Sequence, residues 1–289
     1  MKTSISVIMP CFNEEDSVKG VLEELGAALK ELDCESEVIV IDDGSTDSSR
    51  GAIEESGVAT KVIHHRSNRG YGASIKEGIG AAQNDYVLIM DADGQHPPGN
   101  IKVLLDALKD YDMVVGARKQ QGSHHWRMPG KAVVKLVSQV LVGMKIPDIN
   151  CGFRLIRRMD AAKYMHLCSD GFSFSTSITL AFLSDHMAVK FVPIDIRARQ
   201  GGKSQIRLRT WFSTIMLILR IIGTFNPLKI FLPPAAIFFG AGIVLLIYNI
   251  MHRNISEMTI LLLVTGVLLF FFGLLADQMS LIRREIHKE

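Results

Sequence analysis

The stretch YVLIMDAD, residues 86–93, decides the fold of this chain. The largely apolar residues 86–90 have the length of a buried parallel strand, and a turn follows them. Asp91 and Asp93 stand directly after this run. In open α/β sheets ligands bind beyond the carboxyl ends of the strands, so both carboxylates are predicted to enter a ligand crevice. Such hard oxygen ligands suit Mg²⁺ or Mn²⁺, although Asp is also common in ordinary turns.

Two more apolar runs end in polar, mostly acidic tips. Residues 37–41 lead into DDGSTD at 42–47, and residues 5–9 lead into PCFNEED at 10–16. Helical patterns at 17–32 and 45–56 lie between the strands. This alternation predicts an α/β fold with a doubly wound, mostly parallel sheet and a site along one edge.

Three strings, VIMPCFNEE, VIDDGSTD and IMDADGQHPP, resemble in this order the family 2 glycosyltransferases of GT-A fold. Within that family they are most similar to the polyprenyl-phosphate glycosyltransferases, the group of dolichyl-phosphate mannose synthase and undecaprenyl-phosphate glucosyltransferase. The similarity covers about residues 5–205. Each string alone is a weak signal, but the three together are specific. The resemblance implies a UDP- or GDP-linked sugar donor held by a divalent metal.

The resemblance also implies roles for individual residues. It places Mg²⁺ or Mn²⁺ at Asp91, Asp93 and Gln95. The expected donor-binding residues are Pro10, Asn13, Glu14, Asp42, Asp43, Asp91 and Arg127. Physically, a divalent ion stabilises the negative charge that develops on a nucleoside diphosphate leaving group. A carboxylate such as Asp42 or Asp43 can accept hydrogen bonds from ribose hydroxyls.

Arginines downstream are expected near the diphosphate. Residues 114–118 are predicted to form another strand that ends in Arg118, where the family places an Arg. Arg127 lies in the low-pattern stretch 119–131, which is predicted to be an acceptor-side loop. Guanidinium groups make charge-assisted, often bidentate contacts to phosphate oxygens. A solvated basic loop is the open alternative for Arg127.

The string PDINCGFRLIRR, residues 147–158, matches the family's next signature, which lines the catalytic pocket. Asp148 is the candidate carboxylate near the attacking oxygen of an inverting displacement, and a turn-forming Asp is its alternative. Arg154 is expected to contact the acceptor phosphate. The predicted catalytic set is therefore Asp93, Asp148 and Arg118.

A basic stretch follows at 197–209. It resembles the family's R-x-x-G-x-S-K segment through Arg199, Gly202 and Ser204, with Lys203 at the position between the last two. Arg199, Lys203 and Ser204 are therefore expected to join Arg154 at the acceptor phosphate. Basic residues beside a membrane also attract anionic headgroups, and a solvated face is the alternative for each one.

The carboxyl-terminal part has the pattern of a membrane anchor. Two uncharged runs, about 230–251 and 258–276, each reach the roughly twenty residues needed to cross a bilayer. Residues 211–225 suit an amphipathic interfacial helix. The predicted organisation is a GT-A domain at 1–205, a juxtamembrane helix region at 206–228, and a two-helix transmembrane hairpin with a basic tail at 229–289.

Flanking Lys and Arg residues place both ends of the hairpin in the cytoplasm. The predicted location is the cell membrane, or the endoplasmic reticulum membrane in a eukaryote, with a cytoplasmic catalytic domain. A net charge of +2 gives no reason to predict nucleic-acid binding. Four cysteines without paired spacing indicate reduced thiols and no zinc site.

These observations predict a membrane-anchored, metal-dependent, inverting glycosyltransferase that moves a sugar from a nucleotide donor to a polyprenyl phosphate. A processive polysaccharide synthase is less favoured because no Q-x-x-R-W string occurs and only two spans are available. The alternative that is not an enzyme is a membrane scaffold of the same fold. The charge gathered at Asp91, Asp93, Gln95 and Arg118 argues against a scaffold. The sugar, the nucleotide and a homo-oligomeric state are left open.

Overall fold

The computed structural model describes residues 3–118, 147–197, 227–252 and 256–286, together with Met216 and Gly223. The chain divides into two compact units, Met1–Thr214 and Ile215–Glu289. Four residues with predicted roles, Arg127, Arg199, Lys203 and Ser204, lie outside the described residues. Most of the predicted juxtamembrane region at 206–228 lies outside them too.

The first unit is built on a seven-stranded sheet. Its strands are β1 Ser4–Cys11, β2 Glu35–Asp42, β3 Lys61–His64, β4 Tyr86–Ile89, β5 Met113–Arg118, β6 Arg154–Arg157 and β7 Val189–Ile194. Their order across the sheet is β3-β2-β1-β4-β6-β5-β7. The pairs among β1, β2, β3 and β4 are parallel, and so is the pair of β5 with β7. The predicted mostly parallel α/β sheet is therefore confirmed.

Helices connect the strands of this unit. Those described are α1 Val18–Glu31, α2 Ser49–Ser56, α3 Tyr71–Ala81, α4 Asn100–Ala107, α5 Arg158–Tyr164 and α6 Phe174–Ser184. α1 buries Val18, Val21, Leu22, Leu25 and Leu29, which lie on one face of a helix. α2 begins later than the predicted residue 45, because the preceding residues form a hydrogen-bonded turn at the tip of β2.

One part of the core lies where α3 packs on β1 and β2. Residues 5–11 of β1 are all buried, as expected for a parallel strand covered on both faces. α3 approaches this strand so closely that a Cβ on Gly78 would lie 2.4 Å from Ile8 Cγ2 and 2.9 Å from Ile41 Cδ1. Glycine at position 78 therefore sets the distance between α3 and the sheet.

Strands β6 and β7 are not predicted from the sequence pattern, and β6 is the one that shapes the site. It pairs antiparallel with both β4 and β5, and Arg154 stands opposite Ile89 on one side and Val115 on the other. Because β6 runs against its neighbours, its first residue lies beside their carboxyl ends. The segment 148–153 that leads into β6 is thereby brought to the edge that carries Asp91.

The helices described in the second unit are α7 Leu228–Met251 and α8 Glu257–Ile286. Both helices are long and apolar enough to cross a membrane. A Cβ on Gly242 would lie 2.8 Å from the Leu263 side chain, and one on Gly266 would lie 2.7 Å from the Phe239 backbone nitrogen. The two helices thus pack through glycines, which allow close approach in apolar surroundings.

Gly78→Ala tests the close contact of α3 with the sheet. We expect the substitution to lower the free energy of unfolding by about 1–3 kcal/mol, because an added methyl group forces neighbouring atoms apart. Gly80→Ala in the same helix is the matched control, since no atom lies within 4 Å of its added Cβ. It should be neutral or stabilising by up to about 1 kcal/mol. Urea denaturation of the purified full-length chain measures both, and equal midpoints would contradict this packing.

Candidate active site

The loop after β4 presents the three residues predicted to bind metal. Asp91, Asp93 and Gln95 are half-buried, whereas the residues between them are buried. Asp93 Oδ1 accepts the backbone N–H of Gln95 at 3.1 Å, and Gly94 has a φ of 73°, which permits the tight turn. The polar side chains are therefore the accessible part of this loop.

Asp91 is held from two directions. The hydroxyl of Tyr71 donates a hydrogen bond to Asp91 Oδ1 at 2.8 Å. A Cβ on Gly152 would lie 2.7 Å from Asp91 Oδ2 and 2.8 Å from the Tyr71 oxygen, so only glycine fits there. Loss of solvent, and then the charge of Asp91, raises the pKa of Tyr71 well above its ordinary value. The phenol therefore stays protonated and remains a donor at neutral pH.

His96 lies at the buried side of the same loop. Its ring stacks on Phe153 with centroids 5.3 Å apart and planes 17° apart. Burial lowers the pKa of His96, against the opposing charges of Asp91 and Asp93. A neutral imidazole on an aromatic ring supports the loop by packing.

The tips of β1 and β2 bring the predicted donor-binding residues together. Pro10 pairs with Ile41, one position before Asp42. Asn13 has a φ of 53° and its Oδ1 accepts the backbone N–H of Thr46 at 2.8 Å. The backbone N–H of Glu14 donates to Ser49 Oγ at 2.8 Å. The loops that follow the two strands are thus joined by reciprocal hydrogen bonds.

The two predicted ribose-binding carboxylates are both buried. Asp42 accepts the Ser45 backbone N–H at 2.9 Å and lies 3.0 Å from His64 Nδ1. Burial by itself would raise the pKa of Asp42, but hydrogen bonds from Ser45 and His64 bring it below the ordinary value. Asp42 therefore stays charged and fixes the turn that begins at Gly44.

Asp43 ties the tip of β2 to the start of α3. Its oxygens accept the backbone N–H groups of Arg69 and Gly70 at 2.8 and 2.9 Å. His65 Nδ1 lies 2.6 Å from Asp43, and His65 Nε2 lies 2.8 Å from Glu77. The Asp43 carboxylate thus places the loop from which Tyr71 reaches Asp91.

Arg118 and Asp148 form a bidentate pair at the end of β5. Arg118 Nε lies 2.6 Å from Asp148 Oδ2, and Nη2 lies 3.0 Å from Oδ1. The hydrogen bond to Asp148 raises the pKa of Arg118 despite its partial burial. The Arg118 side chain is 41% exposed and that of Asp148 13%. The guanidinium can therefore contact a ligand while the carboxylate is engaged in holding it.

The position of Arg154 contradicts the expectation that this residue contacts the acceptor phosphate. Its side chain is fully buried rather than open to an acceptor. Arg154 Nη1 donates to Ser175 O at 2.9 Å and to Thr179 Oγ1 at 3.0 Å, and Nη2 donates to the Cys151 carbonyl. The physical reason is the central position of β6 between two strands, which encloses its first residue. Arg154 therefore ties β6 to α6.

Two carboxylates are enough to bind a metal ion whose other ligands are substrate phosphates and water. Among the described residues no group of three or more His, Cys, Asp or Glu side chains is arranged to hold a metal ion by itself. Mg²⁺ in proteins is commonly bound by one or two carboxylates plus water and substrate phosphates. Asp91 and Asp93, fixed and half-buried, satisfy that requirement.

Comparison with known proteins agrees with this geometry. Residues 6–165 match the model of glycosyl transferase family 2. The chain belongs to this family. Residues 226–282 match a second model, the GtrB C-terminal hairpin. The predicted family, the glycosyltransferase class and the carboxyl-terminal helical hairpin are confirmed.

Curated relatives cover most of the chain. The undecaprenyl-phosphate 4-deoxy-4-formamido-L-arabinose transferase of Aeromonas hydrophila is 29% identical over 94% of this chain and 87% of its own length. The enzyme of the same name from Proteus mirabilis is also 29% identical, over 87% of this chain and 77% of its own length.

Solved structures share the fold. Glucosyl-3-phosphoglycerate synthase from Mycobacterium tuberculosis, in complex with Mn²⁺, UDP and glucosyl-3-phosphoglycerate, superposes with a TM-score of 0.61. The match covers 76% of this chain and 80% of that one at 20% identity. At this identity the likeness shows the GT-A fold alone, and it confirms that prediction.

Arg154→Ala tests the buried position of this arginine. We expect the free energy of unfolding to fall by about 3 kcal/mol or more, since three hydrogen bonds from a buried charged group are lost at about 1.5–3 kcal/mol each. Arg157→Ala is the control in the same strand, because that side chain is 52% exposed and should change stability by no more than about 0.5 kcal/mol. Urea denaturation compares them. An Arg154→Ala chain with wild-type stability that loses only its affinity for an acceptor phosphate would restore the original expectation.

Proposed function

We propose that this glycosyltransferase moves a sugar from a nucleotide donor onto a polyprenyl phosphate at the membrane surface, with inversion at the sugar carbon. The observation that carries the proposal is the fixed, half-buried Asp91 beside Asp93 at the end of β4. Two helices able to cross a membrane, in the same chain, support a lipid acceptor. The names of the curated relatives support an undecaprenyl phosphate, and their formamido-arabinose is the first sugar to test.

Asp91, Asp93 and Gln95 would hold Mg²⁺ or Mn²⁺. When bound, the ion supplies charge stabilisation to the diphosphate as it leaves the sugar. The joined tips of β1 and β2, with Pro10 and Asn13 among their residues, form the proposed nucleoside pocket. Glu14, Asp42 and Asp43 shape this pocket, and Arg127 remains a predicted donor contact. The nucleotide is UDP or GDP.

Arg118 and Asp148 act on the phosphates in this proposal. An acceptor phosphate oxygen attacks the sugar carbon, and the bond from that carbon to the diphosphate breaks. A phosphate monoester is already anionic near pH 7, so the attack needs little help from a base. Asp148, which is engaged by Arg118, therefore serves mainly to aim the guanidinium at phosphate oxygens. Arg199, Lys203 and Ser204 remain predicted acceptor contacts.

The helical hairpin holds the catalytic unit at the membrane that contains the acceptor. Lys229 precedes the first predicted span, about 230–251, and Arg283, Arg284 and Lys288 follow the second, about 258–276. The positive-inside rule places both of these ends, and therefore the catalytic unit, in the cytoplasm. A polyprenyl phosphate presents its charged end at the same surface, so anchoring raises the frequency of encounter. The cell membrane is the proposed location.

A transfer assay tests the proposed function. The full-length chain in undecaprenyl phosphate liposomes, given Mn²⁺ and a panel of UDP- and GDP-linked sugars that includes formamido-arabinose, should form a glycosyl phospholipid from one donor. Asp93→Asn should reduce transfer by more than about a hundredfold, because a ligand carboxylate is lost from the metal. Asp106→Asn, at an exposed position on α4, is the control. Undiminished transfer by Asp93→Asn, or by the wild type in excess chelator, would contradict the metal mechanism.

Cysteine labelling tests the orientation of the hairpin. One variant replaces Glu257, which is exposed at the start of α8, with Cys. The other replaces Lys288, near the carboxyl terminus, with Cys. In a Cys34→Ser background the remaining native cysteines are buried. In intact cells an impermeant maleimide should modify Glu257→Cys and should reach Lys288→Cys only after permeabilisation. The reverse pattern would place the donor site outside the cytoplasm.

A further inference from the structure

Tyr71 is a site residue to which the sequence analysis gives no role. Among the described residues, it is the one hydrogen-bond partner of the Asp91 carboxylate. Asp91 is half-buried and follows the end of a buried strand, so its position is fixed at the backbone but not at the carboxylate. The orientation of the carboxylate therefore depends on the Tyr71 hydroxyl.

The start of α3, which carries Tyr71, is clamped to the segment 168–171. A Cβ on Gly72 would lie 2.1 Å from the Ser169 carbonyl oxygen, and one on Gly70 would lie 2.6 Å from that of Asp170. The backbone N–H of Ala73 donates to Asp170 O at 3.0 Å. This close fit fixes the backbone from which the Tyr71 side chain extends.

Side-chain contacts complete the clamp. Lys76 Nζ donates to Cys168 O at 2.7 Å and to Asp170 Oδ1 at 2.6 Å. The ring of Phe172 then stacks on Tyr71, with centroids 6.0 Å apart and planes 16° apart. Both the helix start and the ring are therefore fixed, and the hydroxyl has little freedom to leave Asp91.

A carboxylate has about four lone-pair positions, and one hydrogen bond leaves the others for a cation. Carboxylates that ligate metals are usually hydrogen-bonded in this manner, and loss of such a partner typically costs 10–100-fold in metal affinity. We propose that Tyr71 is a positioning residue, which orients the Asp91 carboxylate for the divalent ion of the donor complex. This inference rests on the proposed metal site.

The test compares two tyrosines that each donate to an aspartate. Tyr71→Phe removes the hydroxyl bound to Asp91 and keeps the ring that stacks on Phe172. Tyr164→Phe is the control, because the Tyr164 hydroxyl donates to Asp185, which the proposal leaves outside the donor site. Electron paramagnetic resonance of free Mn²⁺ measures the affinity of the full-length chain for Mn²⁺ with UDP or GDP present. We expect about 10–100-fold weaker binding for Tyr71→Phe and wild-type binding for Tyr164→Phe.

Two further measurements distinguish a positioning role of Tyr71 from a general structural role. Urea denaturation should show folded Tyr71→Phe, and kcat at saturating Mn²⁺ should approach the wild-type value while the Mn²⁺ midpoint rises. An unchanged Mn²⁺ affinity in Tyr71→Phe, beside a wild type that binds Mn²⁺, would overturn the inference and leave the proposed function standing. A wild type that binds no Mn²⁺ with either nucleotide would overturn the metal site itself.

Discussion

Strand β6 runs against the direction of β4 and β5, between which it lies, and the geometry of the site follows from that reversal. A parallel strand at this position would begin at the opposite edge of the sheet. The antiparallel strand begins instead beside the carboxyl ends of its neighbours. Gly152 is thereby placed against Asp91, and Asp148 against Arg118. The carboxylates of the predicted metal site and Arg118, the arginine proposed to bind phosphate, thus come from separate segments that meet at one edge.

Arg154 holds this arrangement together, although the burial of its charge costs free energy. Burial lowers the pKa of its guanidinium, and no carboxylate of the described residues lies within ion-pair distance of it. Hydrogen bonds from a charged group contribute roughly 1.5–3 kcal/mol each, which offsets part of the penalty for burying the charge. Those bonds reach Ser175, Thr179 and Cys151, and so tie the start of β6 to α6 and to the segment beside the site. A buried arginine with this role cannot also receive an acceptor phosphate.

The sequence predicts strands β1, β2, β4 and β5 because the signal of each is local, whereas β6 and β7 are not predicted. Each of β1, β2 and β4 is an apolar run that ends in acidic residues, and the edge at which they end follows from the direction of parallel strands. The sequence does not predict β6 because the strand, RLIR, is short and has an Arg at each end. Nothing in these four residues specifies the direction of the strand. The incorrect role for Arg154 is a consequence of that omission.

Contacts between distant residues are the other part that the sequence does not reveal. Tyr71 and Asp91 are separated by 20 residues, and Asp43 and Gly70 by 27. Tyr71 stands at a helix start, where nothing in the pattern distinguishes it from an aromatic residue of the core. Asp43, predicted to bind ribose, is buried by a network of backbone N–H groups and His65 that only the fold assembles. Candidate residues for the donor site can be predicted from the sequence, whereas the contacts that support them need the structure.

A crystal structure of the full-length chain with Mn²⁺ and the nucleoside diphosphate that it binds tests the central claim most directly. The mechanism predicts an anomalous difference peak within coordination distance of both Asp91 and Asp93, with diphosphate oxygens on the same ion and Gly152 beside it. A nucleotide bound at the tips of β1 and β2 without an ion at these two carboxylates would contradict it, and so would an ion held elsewhere.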